Sequence, residues 1–268
     1  MALELGERFK EFYGTNKGQM PLLVKEGLVP MTVAQLMQRR VAVLDDKALK
    51  ATWFYNYFDT GDAIVYHPDG KVKIVLDAQA LKEMSATSEL SNGALILPDG
   101  AYESLQGPEF TRKELEGLTG KVLSQTAVRE NPVWQALARD QAVLESYADA
   151  VFREAKTLYN YNENMGLYVA AAQKQPTMRT WCVNYIGGRS YACGSDLGDG
   201  GSRLVGVAPK GFVGAERRAP QKLAAALSVE SEGVVPSLDQ VLATMAQYIT
   251  PANQDAVRRD LTALYQNK

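Results

Sequence analysis

The sequence is poor in the residues that most metal sites and nucleophilic active sites need. It contains two cysteines and one histidine, His67, among 268 residues. Two cysteines cannot build a disulfide framework, and a single histidine argues against zinc sites and Ser-His-Asp triads. His67 precedes Pro68-Asp69-Gly70, a hairpin-turn sequence in which a histidine is usually solvated. We therefore expect a chain without histidine chemistry, kept in a reducing cytoplasm.

The sequence also lacks an excess of charge of one sign and lacks long apolar runs. It has 29 basic and 31 acidic side chains, with no block of like charges. General nucleic-acid binding depends on a basic excess or stripe, so none is expected here. No apolar run approaches the ~18 residues that a membrane-spanning helix needs, and the charged opening residues do not resemble a signal peptide. We expect no membrane association.

What the chain does contain is the composition of a globular protein, with 46% apolar and 22% charged residues. Its length suits one large domain or two modest ones. We expect one globular domain over residues 1–268. A subdivision, if present, would fall near residues 173–177.

The clearest predicted element is a long helix over Asn131–Tyr159. Asn131 is a good N-cap and Pro132 suits the first helical position. No glycine or proline follows until Gly166. Apolar residues recur at Leu137, Leu144, Val151 and Leu158, so we predict one continuous helix with these four side chains buried.

Two hairpins are predicted on either side of this helix. Pro68-Asp69-Gly70 would join the first pair of strands, and Gly187-Gly188 the second pair. In the second hairpin, facing residue numbers would sum to 375, which places Cys182 opposite Cys193 as free thiols. Further helices are predicted after residue 220.

These elements predict an α+β fold. In it, mainly antiparallel hairpins would pack against the long central helix, and the C-terminal segment would be helical. Strands do not alternate regularly with helices, so a doubly wound parallel sheet is the less favoured arrangement.

Phe58-Asp59-Thr60-Gly61 resembles the Asp-Thr-Gly signature of aspartic proteases. The resemblance covers these residues alone and implies that Asp59 would share a proton with a second aspartate. The sequence departs from the family pattern, because Asp62 stands where Ser or Ala is usual and no second Asp-Thr-Gly occurs. An aspartic-type hydrolase at this motif is our third functional hypothesis.

Asp-x-Gly-Asp occurs twice, at residues 59–62 and 196–199. Grouped carboxylates on glycine loops suit Mg²⁺ or Ca²⁺, which prefer oxygen ligands. Asp196 and Asp199 are therefore the candidate metal ligands, although surface turns use the same residues for backbone reasons. Whether the two Asp-x-Gly-Asp segments meet in space is a question of tertiary structure.

The glycine-rich stretch 187–214 carries the candidate anion-binding residues Arg189, Arg203 and Lys210. Such loops can present backbone N–H groups and guanidinium groups to phosphate or carboxylate. Hairpin connections would explain the glycines equally well. Together with Asp196 and Asp199, this stretch supports an alternative function, a Mg-dependent enzyme acting on a phosphorylated or nucleotide-like small molecule.

Tyrosines are concentrated near asparagines and at the ends of predicted elements. Tyrosine combines apolar area with a polar tip and is enriched at interfaces. The set comprises Tyr55, Tyr57, Tyr159, Tyr161, Tyr168, Tyr185 and Tyr191. These residues favour our first hypothesis, a soluble intracellular binding or assembly protein without its own catalysis, whose partner is another protein or a second copy of the chain.

Overall fold

The structure is a computed structural model that describes residues 8–170 and 173–209, together with residues 3, 5 and 6. The chain divides into two units, Met1–Phe212 and Val213–Lys268, and all of the described residues belong to the first. The helices predicted after residue 220, and Lys210 of the candidate anion site, lie outside the described residues.

Among the described residues, 11 strands form one mixed sheet, whose main path runs in the order β1-β11-β3-β9-β10-β8. The strands are β1 (Phe9–Tyr13), β2 (Val29–Pro30), β3 (Phe58–Tyr66), β4 (Lys71–Val75), β5 (Leu90–Ser91), β6 (Ala94–Ile96), β7 (Glu109–Thr111), β8 (Leu167–Tyr168), β9 (Thr177–Val183), β10 (Ala192–Gly194) and β11 (Arg203–Val207).

Helices occupy the connections between these strands, and side-chain caps define most of their starts. Thr32 and Thr111 each form a capping box, with Gln35 and Glu114 as the reciprocal partners. The helices are α1 (Asn16–Lys25), α2 (Val33–Ala42), α3 (Lys47–Phe54), α4 (Gln79–Lys82), α5 (Ala101–Ser104), α6 (Arg112–Glu116), α7 (Gln125–Glu130), α8 (Pro132–Ala138) and α9 (Gln141–Tyr159). No helix in the described ranges has the length and apolar character needed to cross a membrane.

The predicted arrangement of local hairpins around one long helix is wrong. Strands far apart in sequence pair with one another, as β1 pairs with β11 in antiparallel register. Two of the pairings, β11 with β3 and β10 with β8, are parallel. Turn sequences report only pairing between neighbouring strands, whereas long-range pairing is decided by which strands bury their faces together. The antiparallel pairing of β3 with β9 forms the centre of the sheet.

Both predicted hairpins are present within this sheet. β3 pairs with β4, and the His67 N–H donates to the Lys71 carbonyl across the turn. β9 pairs with β10, and Cys182 faces Cys193 in the predicted register. The second turn differs from the predicted two-residue form, because Ile186–Gly188 is a 3₁₀ turn and Arg189 adopts a positive φ of 59°.

The predicted continuous helix over Asn131–Tyr159 is also wrong, because it is broken into α8 and α9. Arg139 ends α8 with a φ of 62°, and Asp140 caps α9 by accepting a hydrogen bond from the Val143 N–H. Asp140 is a good N-cap, but no glycine or proline marks the break. The Arg139 guanidinium instead forms an ion pair with the buried Asp62 carboxylate at 2.6 Å, which ties the break to the sheet.

Most of the predicted apolar face is nevertheless buried. Leu137, Leu144 and Val151 are buried in the main core cluster, together with side chains of α2 and the sheet. Leu158 is 45% exposed, so its predicted burial is wrong. It lies in the last turn of α9, where the helix passes beyond the core.

Candidate functional site

Four tyrosines come together on the surface where α3 and α9 end beside the turn after β9. Tyr55, Tyr159 and Tyr185 are each exposed by about two-fifths, at 43%, 41% and 42%. The Tyr159 and Tyr161 rings stack with centroids 5.2 Å apart. Burial, together with the neighbouring Tyr55, Tyr161 and Tyr185, raises the pKa of Tyr159. We call Tyr55, Tyr159, Tyr161 and Tyr185 the tyrosine face.

The C-terminus of α9 sets the positions of Tyr159 and Tyr161. Asn160, between them, adopts a left-handed conformation with a φ of 54°, and its N–H donates to carbonyls of the last turn. Asparagine tolerates this conformation better than most residues. The Tyr161 N–H donates to the Ala155 carbonyl at 3.2 Å, so the chain is folded back over the helix end. The backbone reversal leaves the two rings side by side.

The turn after β9 positions Tyr185 and a cation beside it. The Arg189 guanidinium carbon lies 3.3 Å from the centre of the Tyr161 ring, and its Nη1 donates to the Glu163 carbonyl at 2.9 Å. A Cβ at Gly187 would lie 3.1 Å from both Tyr159 Oη and Tyr185 Cε2. Glycine at this position therefore permits the two rings to approach the turn closely.

A buried arginine holds the backbone beneath the tyrosine face. Arg40 is 1% exposed, and its guanidinium donates to the carbonyls of Trp53, Asn56 and Asn184. It also donates to Tyr147 Oη at 2.7 Å. Asn56 and Asn184 adjoin Tyr55 and Tyr185, so a single side chain braces the segments that carry two rings of the face. Among the described residues, no carboxylate forms an ion pair with Arg40.

The candidate metal ligands cap their own turn. Asp196 Oδ1 accepts from the Gly198 N–H at 2.8 Å, and Asp199 Oδ1 accepts from the Gly201 N–H at 2.9 Å. No group of three or more His, Cys, Asp or Glu side chains suited to a metal occurs in the part of the chain that the structure describes. The Asp-Leu-Gly-Asp sequence thus meets the hydrogen-bonding needs of a surface turn.

The candidate anion-binding arginines have partners other than these carboxylates. Arg189 belongs to the tyrosine face, as described above. Arg203 forms an ion pair with the buried Glu11 and lies over the Tyr13 ring, with the guanidinium carbon 4.8 Å from its centroid. Within the described residues neither arginine forms an ion pair with Asp196 or Asp199. The ion pairs and hydrogen bonds of these two arginines thus do not join the predicted Mg²⁺ and anion sites.

The Asp-Thr-Gly segment is part of buried strand β3, not the loop that its sequence predicts. Asp59 is 1% exposed, and its Oδ2 accepts from the Arg203 N–H at 3.1 Å. Burial raises the pKa of Asp59, and the polar neighbours Ser195, Arg203, Asn16 and Ser202 partly offset that rise. Asp59 thus meets residues flanking the second Asp-x-Gly-Asp segment.

Asp62 has a different environment from Asp59. Its carboxylate accepts from the N–H groups of Val33 and Asp77, both at 2.8 Å, and pairs with Arg139. Burial raises the pKa of Asp62, and Arg139 opposes that shift. The two aspartates therefore have separate structural partners. The paired, solvent-reachable carboxylates that the aspartic protease resemblance implies are not found in the described part of the chain.

The two cysteines face each other as thiols on β9 and β10. The Asn184 N–H donates to the Tyr191 carbonyl, so Asn184 and Tyr191 are a backbone hydrogen-bonded pair. Because such pairs alternate along antiparallel strands, Cys182 and Cys193 also occupy a backbone hydrogen-bonded position. A hydrogen bond from the Cys182 thiol lowers the pKa of Cys193 and raises that of Cys182. Cys193 is also the less buried of the two. The pair lies at the base of the turn that carries Tyr185 and Arg189.

Comparison with known proteins identifies the fold. No protein-family model and no curated protein matches the sequence. A solved structure described as "Accommodation of massive sequence variation in Nanoarchaeota by the C-type lectin fold" matches with a TM-score of 0.58 and 16% sequence identity. The match covers 76% of this chain and 100% of that one. This chain is similar to the C-type lectin fold. At this identity the C-type lectin likeness concerns the fold alone, and it agrees with the mixed sheet found in place of the predicted hairpin arrangement.

Sequence reasoning named all four tyrosines of the tyrosine face within a larger set, but it missed the buried side chain that supports them. The Tyr-Asn repeats identified Tyr159, Tyr161, Tyr55 and Tyr185 among a larger set. The same set contained Tyr57, whose hydroxyl donates to the Gly201 carbonyl elsewhere, and Tyr191, whose hydroxyl donates to the Gly120 carbonyl. Nothing in the Gln38-Arg39-Arg40 sequence distinguishes Arg40 as a buried brace, because its partners lie as far away as residue 184.

Proposed function

We propose that this chain is a binding protein that holds a protein partner on its tyrosine face. The observation that carries the proposal is the set of exposed rings fixed by a buried framework. Tyrosine supplies much contact area at low cost in conformational entropy, and tyrosine and arginine are both enriched at protein interfaces. Arg189, stacked on Tyr161, adds a planar cation to the same surface.

The fold supports this proposal in a general way. The matched protein has a C-type lectin fold that accommodates massive sequence variation. A framework of that kind can keep its backbone while surface side chains change. In this chain the tyrosine face occupies the ends of elements, where substitution alters the surface more than the core. We propose the cytoplasm as the compartment, which is consistent with two facing cysteines that are thiols.

The proposal can be tested by site-specific photocrosslinking in the source cells. A benzophenone amino acid at Tyr185 should crosslink one defined partner, and the same residue at Tyr168 should not. Tyr168 is a matched control because it is an exposed tyrosine, at 56%, and lies on β8, outside the tyrosine face as defined.

The partner identified in this way should then be purified and titrated against the double variant Tyr159→Ser/Tyr185→Ser. Loss of two interface tyrosines should weaken binding by about 2 kcal/mol or more. Equal crosslinking at Tyr185 and Tyr168, or unchanged affinity in the double variant, would contradict the proposal. A crosslink to a second copy of this chain would identify the partner as the chain itself.

A further inference from the structure

A cleft adjoins the tyrosine face between α7 and α9. Its volume is about 500 Å³. Tyr161 belongs to both surfaces, and the cleft is also lined by Gln125, Asp149, Arg153, Lys156 and Asn162. The exposed rings and the cleft are therefore continuous.

Cations on this surface lack carboxylate partners among the described residues. Lys156 Nζ donates to the amide oxygens of Asn160 and Asn162, at 2.7 and 2.9 Å. Arg189 donates to a backbone carbonyl, and Arg153 is an exposed side chain without an ion pair. Arg189 thus lies on the Tyr161 ring, and Arg153 and Lys156 line the same cleft as Tyr161.

The acidic side chain that lines the cleft does not cancel the charge of Arg153 and Lys156. Asp149 is paired with Arg129 across the cleft, and Glu154 is paired with Lys50 at 3.1 Å. Glu130, Glu145 and Glu163 are exposed and have no ion pair within the described residues, but none of them lines the cleft. The lining holds Arg153 and Lys156 against one carboxylate, Asp149, which is already paired, so its charge balance is positive although the whole chain carries a formal net charge of −2.

We infer that the partner presents an acidic peptide segment, with Asp or Glu carboxylates in the cleft and apolar or aromatic groups over the tyrosine face. This inference rests on the function proposed above and adds the chemistry of the partner. A guanidinium stacked on a ring keeps its N–H edge free for a carboxylate, and unpaired cations beside apolar surface favour an anionic partner. Asn160 and Asn162 hold Lys156 at the cleft without neutralising it.

A displayed library of random linear peptides provides the test, using the full chain as bait. Selected peptides should be enriched in Asp and Glu relative to the unselected library. Synthetic copies should bind the wild-type chain, as measured by fluorescence anisotropy. The affinity should fall at least about tenfold in Arg153→Glu/Lys156→Glu, and by less in the charge-conserving control Arg153→Lys/Lys156→Arg. Raising the salt from about 0.05 M to about 0.3 M should also weaken binding, because exposed charges are screened.

The outcomes separate this inference from the proposed function. Peptides without acidic enrichment, acidic peptides that bind the charge-reversed variant equally well, or no selected peptide at all would overturn the inference. If such peptides or the crosslinked partner still lose affinity in Tyr159→Ser/Tyr185→Ser, the tyrosine face remains a binding site and only the acidic chemistry fails. If the tyrosine variant binds normally, the proposed function fails as well.

Discussion

At the residue scale, two buried polar side chains show how the sheet and helices are connected. Asp59 lies within β3, and Arg40 lies beneath the ends of α3 and β9. Both are polar residues in a core, where a polar atom without a hydrogen bond lowers the stability of the fold. Asp59 Oδ1 has no hydrogen-bond partner among the described residues, whereas Arg40 is surrounded by carbonyl oxygens. Replacing Asp59 should therefore stabilise the protein, whereas replacing Arg40 should destabilise it.

Replacing Asp59 with Asn should stabilise the protein at neutral pH. The buried carboxyl has a pKa raised above its ordinary 3.8, so the unfolded chain ionises first as the pH rises. The protonated Asp59 side chain makes its whole contribution to the free energy of unfolding below pH 3.8, the ordinary pKa of the group. That contribution is lost as the pH rises through the higher pKa of the folded state. Asn is neutral throughout, and its side-chain oxygen can still accept from the Arg203 N–H.

Urea denaturation across this pH range measures the effect. The difference in unfolding free energy between Asp59→Asn and wild type should grow in favour of the variant as the pH rises. Asp99→Asn, in an exposed turn, is the control and should show no such trend. A variant that becomes progressively less stable than wild type would show that the ionised carboxylate is favoured in the fold.

Replacing Arg40 with Met should destabilise the protein by about 3 kcal/mol or more. The apolar side chain fills similar space but leaves the carbonyls of Trp53, Asn56 and Asn184 without their donor. Arg40→Lys should lose less stability than Arg40→Met, because one ammonium group can donate to some of these carbonyls. Guanidinium denaturation followed by tryptophan fluorescence gives the values. Arg153→Met, at an exposed site on α9, should change little, and an equal loss there would refute a specific role for Arg40.

At the element scale, α9 shows where apolar periodicity is a reliable guide and where it is not. Leu144 and Leu158 are separated by two heptads, yet Leu144 is fully buried and Leu158 is 45% exposed. Periodicity predicts a shared face but not how far a core extends along it. The exposed last turn of α9 leads directly into Tyr159 and Asn160, which form part of the tyrosine face.

The two leucines provide a matched pair of substitutions. Leu144→Ala should cost about 2 to 5 kcal/mol because it leaves a cavity in the core. Leu158→Ala should fall within about 0.5 kcal/mol of wild type, as expected for an exposed site. Thermal and chemical denaturation of both variants measures this contrast. Similar losses at the two positions would show that Leu158 is covered in solution.

At the scale of the whole molecule, the sheet joins the two ends of the described chain. β11 lies between β1 and β3, so residues 9–13 and 58–66 meet through residues 203–207. The tryptophans Trp53, Trp134 and Trp181 are all buried in the main core cluster, so fluorescence reports on the unit that contains the sheet. Long-range strands of this kind make folding cooperative across the unit.

Placing a charge in β11 should therefore disrupt the whole unit. Val205 is completely buried, and Val205→Asp should cost more than about 4 kcal/mol, because an unpaired charge enters a central strand. Tryptophan fluorescence and far-ultraviolet circular dichroism should both record the loss. Val24→Asp, at a site 40% exposed on α1, is the control and should retain native fluorescence. Native fluorescence from Val205→Asp would mean that β1, β3 and β9 fold without β11.

Several features of this protein could be predicted from its sequence, because they depend on interactions between nearby residues. The Pro-Asp-Gly turn predicted the β3–β4 hairpin, and counting from Gly187-Gly188 gave the register that places Cys182 opposite Cys193. The capping residue Asn131 marked the start of α8. These signals work because turns and caps depend on residues only a few positions apart.

Tertiary structure alone decided the sheet order, the break between α8 and α9, and the composition of the tyrosine face. The break depends on Arg139 reaching Asp62, 77 residues away, and the face depends on Arg40 reaching Asn184, 144 residues away. No local pattern encodes such partners, because they are chosen by the free energy of burying strands and polar groups together. The same reason explains why Asp59-Thr60-Gly61-Asp62, a turn by its sequence, is a central buried strand in the fold.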